Sequence, residues 1–305
     1  MNDKYTLEKI NKESENPSGF LKNCSVEYHK KVKAAAEKIF FDKSKKIVML
    51  AGPSSSGKTT TSKILSEYIN GFGGKAYTVS LDDFYHPHSV GYPLDENGKP
   101  DYECVEALEI ELLHAKLREL SDGKKTTLPV FNFKTGERMN GAKIIELKEN
   151  DVIIFEGLHA LNPVITDNLD AKELFRIYVS VSSRVYNENG NIILSKRDLR
   201  FIRRMVRDFS FRSTSVEFTF GVWQSVARGE DKYLFPYEDL ADTKLDSFHP
   251  CEPCVFSQRA TELLSHVEND EYKEKANRLE YALSLFNKTD YSLLPENSLL
   301  REFTG

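Results

Sequence analysis

The segment Gly52-Pro53-Ser54-Ser55-Ser56-Gly57-Lys58-Thr59 fits the pattern G-x-x-x-x-G-K-[ST] throughout, and its residue types dictate a chemistry. Its glycines let the backbone turn tightly, so that successive N–H groups and the start of the next helix face a polyphosphate. Lys58 can reach the β and γ oxygens, and the Thr59 hydroxyl can meet Mg²⁺. The run Lys46 to Ala51 leads straight into the loop, as a buried strand would. Residues Gly52, Pro53, Ser54, Ser55, Ser56, Gly57, Lys58, Thr59 and Thr60 are therefore expected to surround a nucleoside triphosphate.

Two further acids stand where such a loop needs them. Glu156 closes the apolar stretch Asp151-Val152-Ile153-Ile154-Phe155, and ligands of open α/β sheets bind at the carboxyl ends of their strands. An acid there can hold Mg²⁺ together with Thr59. Asp82 and Asp83 follow the strand-like Ala76 to Leu81, so at least one carboxylate should project over the same edge. Asp82 is the candidate base for the proton of an acceptor hydroxyl; as a bare turn acid it would instead cap the next segment.

Between Lys196 and Arg212 lie six arginines, at 197, 200, 203, 204, 207 and 212. At ~100° per residue, Arg197, Arg200, Arg204 and Arg207 share one helix face, and Ile202, Met205, Val206 and Phe209 the other. One side should pack and the other meet anions. A lid that closes arginines over the triphosphate fits better than a nucleic-acid surface, because Asp198 and Asp208 interrupt the charge and no aromatics are interleaved for base stacking.

These groups need a scaffold, and the pattern alternates strand and helix: 47–51, a helix to about Asn70, 76–81, an amphipathic helix from Val105 to Leu120, 151–157 and 176–181. Such alternation predicts an α/β P-loop fold, a mostly parallel sheet with helices on both faces. A hairpin is inserted at 126–147 and the arginine-bearing lid spans 196–215. Residues 82–101, long and rich in Pro, Gly, Tyr and His, read as a binding loop. The expected division is an N-terminal tail and docking helix at 1–44, the P-loop core at 45–255, and closing helices and tail at 256–305.

Composition narrows the classes. Lys plus Arg number 42 against 47 Asp plus Glu, for a net charge of −5, so no basic footprint argues for nucleic acid. The first twenty residues are polar rather than an apolar leader, and no apolar stretch is long enough to cross a bilayer. Four scattered cysteines do not make a disulfide scaffold. A reducing cytoplasm is the expected compartment. Cys251-Glu252-Pro253-Cys254 with His249 is half a zinc pattern without its second half. Asn287-Lys288-Thr289-Asp290 matches the guanine-reading N-K-x-D, but it follows a helical segment rather than a strand and reads as chance.

Taken together, G-P-S-S-S-G-K-T, L-D-D-F-Y, P-V-F-N-F, V-I-I-F-E-G-L-H-A-L and I-R-R-M-V-R-D resemble the uridine kinase and phosphoribulokinase family in order and spacing. R-R-M-V-R-D-F-S-F-R and the terminal P-E-N-S-L-L-R-E-F-T-G are similar to a bacterial uridine-kinase-like branch, often fused behind TGS and threonyl-tRNA-synthetase-like domains. The resemblance covers about residues 28 to 305. It implies a catalytic set of Asp82, Lys58 and Arg207, with Thr59 and Glu156 at the metal. It further implies Tyr85, Tyr102, Glu103, Phe131, Phe133, Arg204, Arg207 and Arg212 around the acceptor, with Glu103 standing for a shorter carboxylate that grips the ribose hydroxyls. The reaction so implied moves the γ-phosphoryl group of ATP or GTP to the 5′-hydroxyl of uridine or a related nucleoside. A sugar-phosphate acceptor and an RNA-associated regulatory module remain the alternatives. Uridine kinases are commonly oligomeric, which leaves a homo-oligomer open.

Overall fold

The computed structural model describes residues 5–96 and 98–305; the first four residues of the expected tail lie outside it. From Tyr5 on, the predicted tail is folded. A short strand, β1 (Tyr5–Thr6), leads into helix α1 (Leu7–Glu13), and the docking helix is α2 (Pro17–Phe41). The reason is local. Pro17 sits in the first turn and the Asn16 side chain accepts from the Gly19 N–H, so Asn-Pro-Ser-Gly acts as a helix start.

Strand β2 (Ile47–Ala51) is buried at every residue and runs through the phosphate loop into α3 (Lys58–Gly71). Then come β3 (Lys75–Ser80), α4 (Ile110–Ser121), the hairpin strands β4 (Thr126–Asn132) and β5 (Glu137–Ile145), and β6 (Asp151–Glu156). A single turn, α5 (Pro163–Thr166), precedes β7 (Leu174–Ser180) and a small ribbon of β8 (Val185–Tyr186) and β9 (Ile192–Leu194). Helices α6 (Lys196–Arg212) and α7 (Val216–Tyr233), strand β10 (Thr243–Asp246), and helices α8 (Glu252–Leu264), α9 (Asp270–Ser284) and α10 (Arg301–Thr304) complete the chain.

The main sheet has the order β10-β7-β2-β6-β3, parallel throughout, and the hairpin pairs antiparallel by itself. Parallel strands buried on both faces read as continuous apolar runs, which is why IVMLA and DVIIF were legible. One core joins α2, α3, α6, α8 and α9 to one face; the other joins α4, the hairpin base, Phe84 and Phe155. The division drawn at 255/256 falls inside α8, and residues on both sides share the first core.

Cys251, Cys254 and His249 are buried in that core, and His249 Nδ1 lies 2.9 Å from the Ser247 carbonyl. Of the N-K-x-D match, Asn287 bonds Asn11 and Ser14, and Asp290 accepts from the Ser292 N–H to cap a short turn.

Burial pushes the His249 imidazole down to about 3, helped by the Arg203 charge. A histidine held neutral in the native state destabilises it as pH falls, because only the unfolded chain takes up the proton near its ordinary value of about 6.5. His249→Gln removes this dependence. In urea titrations, the stability of the native chain relative to His249→Gln should therefore drop by about 2 kcal/mol between pH 7 and pH 5.

Candidate active site

The phosphate loop is shaped by close approach. A Cβ on Gly52 would lie 2.1 Å from the Val179 carbonyl oxygen of β7, and Gly57 has φ +89°, so only glycine suits either position. Ser55 also adopts positive φ. The ammonium of Lys58 donates to the carbonyls of Gly52 (2.9 Å) and Pro53 (3.3 Å). The Thr59 hydroxyl donates to Glu156 Oε1 at 3.3 Å. Leu50 and Ser80 both register opposite Glu156, so strand pairing alone brings the acid beside the loop.

Asp82 opens the 3₁₀ turn Leu81–Phe84, where the Ser80 hydroxyl accepts its N–H. Its carboxyl is raised by burial, opposed by Lys58 and reinforced by Asp83. Glu156 is likewise raised by burial, with Lys58 opposing and Asp82 reinforcing. Both acids thus share the field of Lys58. Asp83 points elsewhere: Oδ1 accepts from the Phe131 N–H and Oδ2 from Lys143, tying the hairpin to the turn.

Glu103 joins the same cluster. Burial and the Glu230 charge push it up to about 7, against Arg204 and Lys58. Beside it a cavity of about 520 Å³ opens between Tyr102, Arg204 and the α7 residues Val226, Gly229 and Tyr233. Tyr85, Phe131 and Phe133 form one aromatic cluster, with ring centroids 5.0–6.1 Å apart, and Tyr92 links it to Tyr102 at 4.8 Å. Tyr92 was not among the residues expected there, although its loop was. A larger cavity of about 920 Å³, between α6, α8 and residues 288–292, touches none of these groups.

The arginine helix differs most from expectation. A capping box of Ser195 and Asp198 starts α6. Arg200, assigned to the anion-facing side, is buried and forms a two-point bridge with Glu230 of α7 (2.6 and 2.8 Å), while also donating to the Ser54 carbonyl. Arg203 is fully buried on Glu252 at 2.6 Å and donates to the carbonyls of Ser55 and Ser247. Glu230 in turn accepts the Ser54 N–H at 2.8 Å. Arg204 donates to the Ser54 hydroxyl. This half of α6 is therefore bolted to the phosphate loop. Arg204, Arg207 and Arg212 all reach Asp208, at 3.2, 2.7 and 3.5 Å. Phe209, expected to pack, is exposed, its ring under Arg259. Glu230 and Glu252 gave no signal in the sequence beyond being acids in helices.

A Gly-rich loop between a buried parallel strand and a helix, with two acids at the same sheet edge, defines a P-loop phosphotransferase acting on an alcohol acceptor. Residues 47–250 match the model of the phosphoribulokinase / uridine kinase family, and the chain belongs to that family. A uridine kinase of Staphylococcus aureus is 30% identical over 198 residues, covering 64% of this chain and 84% of that one. Among solved structures, a possible uridine kinase from Bacillus stearothermophilus aligns at 18% identity and a TM-score of 0.43, over 66% of this chain and 89% of that one. A D-glycerate 3-kinase from Cryptococcus neoformans aligns at 16% and 0.35, over 84% and 88%. No helix among the described residues is long and apolar enough to cross a membrane.

Removing one side of a buried ion pair leaves the other charge without compensation. Arg203→Ala should destabilise the fold by about 3–5 kcal/mol in chemical denaturation, and Arg197→Ala, whose exposed partner is Asp231, by less than about 1 kcal/mol.

Proposed function

We propose that the chain is an ATP- or GTP-dependent nucleoside kinase of the uridine kinase type, transferring the γ-phosphoryl group to the 5′-hydroxyl. One observation carries this reading: Asp82, in the turn after β3, Glu156, at the end of the neighbouring β6 and 3.3 Å from the Thr59 hydroxyl, and Glu103, just beyond the 82–101 loop, all lie within the field of Lys58.

In this reading Asp82 accepts the proton of the attacking hydroxyl, and burial favours that role by making the carboxylate a better base. Lys58, turned from the loop carbonyls to the phosphates, and the N–H groups of residues 55 to 60 take the developing charge. The Thr59 hydroxyl and Glu156 carboxylate are adjacent hard oxygen donors and suit Mg²⁺, which when bound supplies positive charge to the triphosphate. Arg204 extends the cationic wall through Ser54. Arg207 and Arg212 serve the acceptor side or the transition state once released from Asp208. Tyr85, Tyr102, Phe131 and Phe133 offer faces for a base, and Glu103 grips the ribose hydroxyls beside the 520 Å³ cavity. The cytoplasm and pyrimidine salvage are the setting this reaction suits.

A coupled ADP-release assay over a nucleoside panel is the first test. Turnover with uridine or another nucleoside supports the reading, and turnover only with sugar phosphates refutes it. Asp82→Asn should lower kcat by about 10²- to 10⁴-fold with little change in ATP affinity. Glu103 is charged only above about pH 7 in the free protein. The kcat/KM for the acceptor should accordingly rise through about pH 7, and in Glu103→Gln that limb should vanish or move to the acid side.

A further inference from the structure

The segment beyond α9 makes a contact with the phosphate site that the reaction above does not use. Leu299, Leu300 and Phe303 are fully buried. Leu299 lies against the phosphate loop, its Cδ1 2.6 Å from where a Cβ on Gly57 would be. The Phe303 ring packs against Phe256 and under the Arg203 guanidinium, 5.2 Å away. Glu302, only half-buried on this anchored turn, aims its carboxylate at the start of α3. Its Oε2 accepts from the Thr60 hydroxyl at 2.6 Å and from the Thr60 N–H at 3.3 Å.

Thr60 is the third residue of α3, and its N–H is one of the donors that a helix start leaves free for an anion. A carboxylate and a phosphate oxygen are both anionic acceptors, and one N–H cannot serve both fully. We infer that Glu302 sets the affinity for the phosphoryl donor, by competing with the donor's phosphates for the Thr60 amide and hydroxyl. This rests on the assignment of the first turn of α3 to those phosphates.

The electrostatics agree. The Glu302 charge is among those that raise the Glu156 carboxyl, so it acts inside the site where a polyphosphate would lie. Three buried side chains fix the backbone of this segment, so rotation of the Glu302 side chain into solvent is the movement that admits the donor. A carboxylate at a helix start also stabilises the helix. A mere brace and a competitor make opposite predictions for donor binding, since losing a brace loosens the site and losing a competitor frees it.

Full-length wild type, Glu302→Gln and Glu302→Ala are titrated calorimetrically with ATP and with inorganic tripolyphosphate. Both variants should bind both ligands about 5- to 30-fold more tightly, with the acceptor KM unchanged. Binding within twofold of wild type, or weaker binding by the folded variants, overturns the inference. So does a gain for ATP that tripolyphosphate does not share, because that places the effect away from the phosphates. Lys58→Ala separates the two readings. It should lose affinity for both ligands; if it binds them as wild type does, the phosphate assignment fails and the inference fails with it.

Discussion

A loop that must offer amides to a polyanion can commit few of them to its own hydrogen bonds, so much of its rigidity has to come from outside. Here it comes from one helix. Arg200 and Arg203 of α6 donate to the carbonyls of Ser54 and Ser55, and each is held by a buried glutamate, Glu230 from α7 and Glu252 from α8. Binding the carbonyls from this side leaves loop N–H groups for a ligand, apart from that of Ser54, held by Glu230, and that of Ser56, on the Pro53 carbonyl. Such pairs need good geometry and extra hydrogen bonds to offset desolvation. The two-point Arg200–Glu230 bridge and the Ser247 carbonyl on Arg203 provide them.

The same clamp shapes the electrostatics. Burial raises Asp82, Glu103 and Glu156 above their ordinary ranges, and Lys58 pulls each of them down. Arg204 adds its charge where α6 meets the loop. Arg207 and Arg212, one and two turns further along, are gathered on Asp208. One helix thus has a half that is fixed by buried pairs and a half whose charges rest on a single exchangeable acid.

Several parts were open to reading along the chain. The phosphate loop, its flanking strand, Glu156 at a strand end and Asp82 after another all follow from local runs, since a buried parallel strand is apolar throughout and a loop needing left-handed backbone uses glycine. The hairpin and the aromatic loop were legible from composition and spacing. The basic face of α6 was misread because helical periodicity reports which residues align, not what lies opposite. Arg200 is buried because Glu230, thirty residues later, stands across from it. Phe209 is exposed, with the Arg259 guanidinium rather than a core over its ring. The folded start of the chain was not legible, because polar residues with Asn-Pro-Ser-Gly suit a tail and a helix start alike.

By itself, the order of residues determined the parallel α/β sheet, the position of the phosphate loop within it, and which acids reach the sheet edge, because these depend on neighbours a few residues apart. The tertiary structure alone decided which arginines clamp the phosphate loop and which gather on Asp208. It also decided that Glu103, Asp82 and Glu156 share one field, and that Glu302 returns from the far end of the chain to Thr60. Charge pairing and burial join residues hundreds of positions apart, and no periodicity along the chain records them.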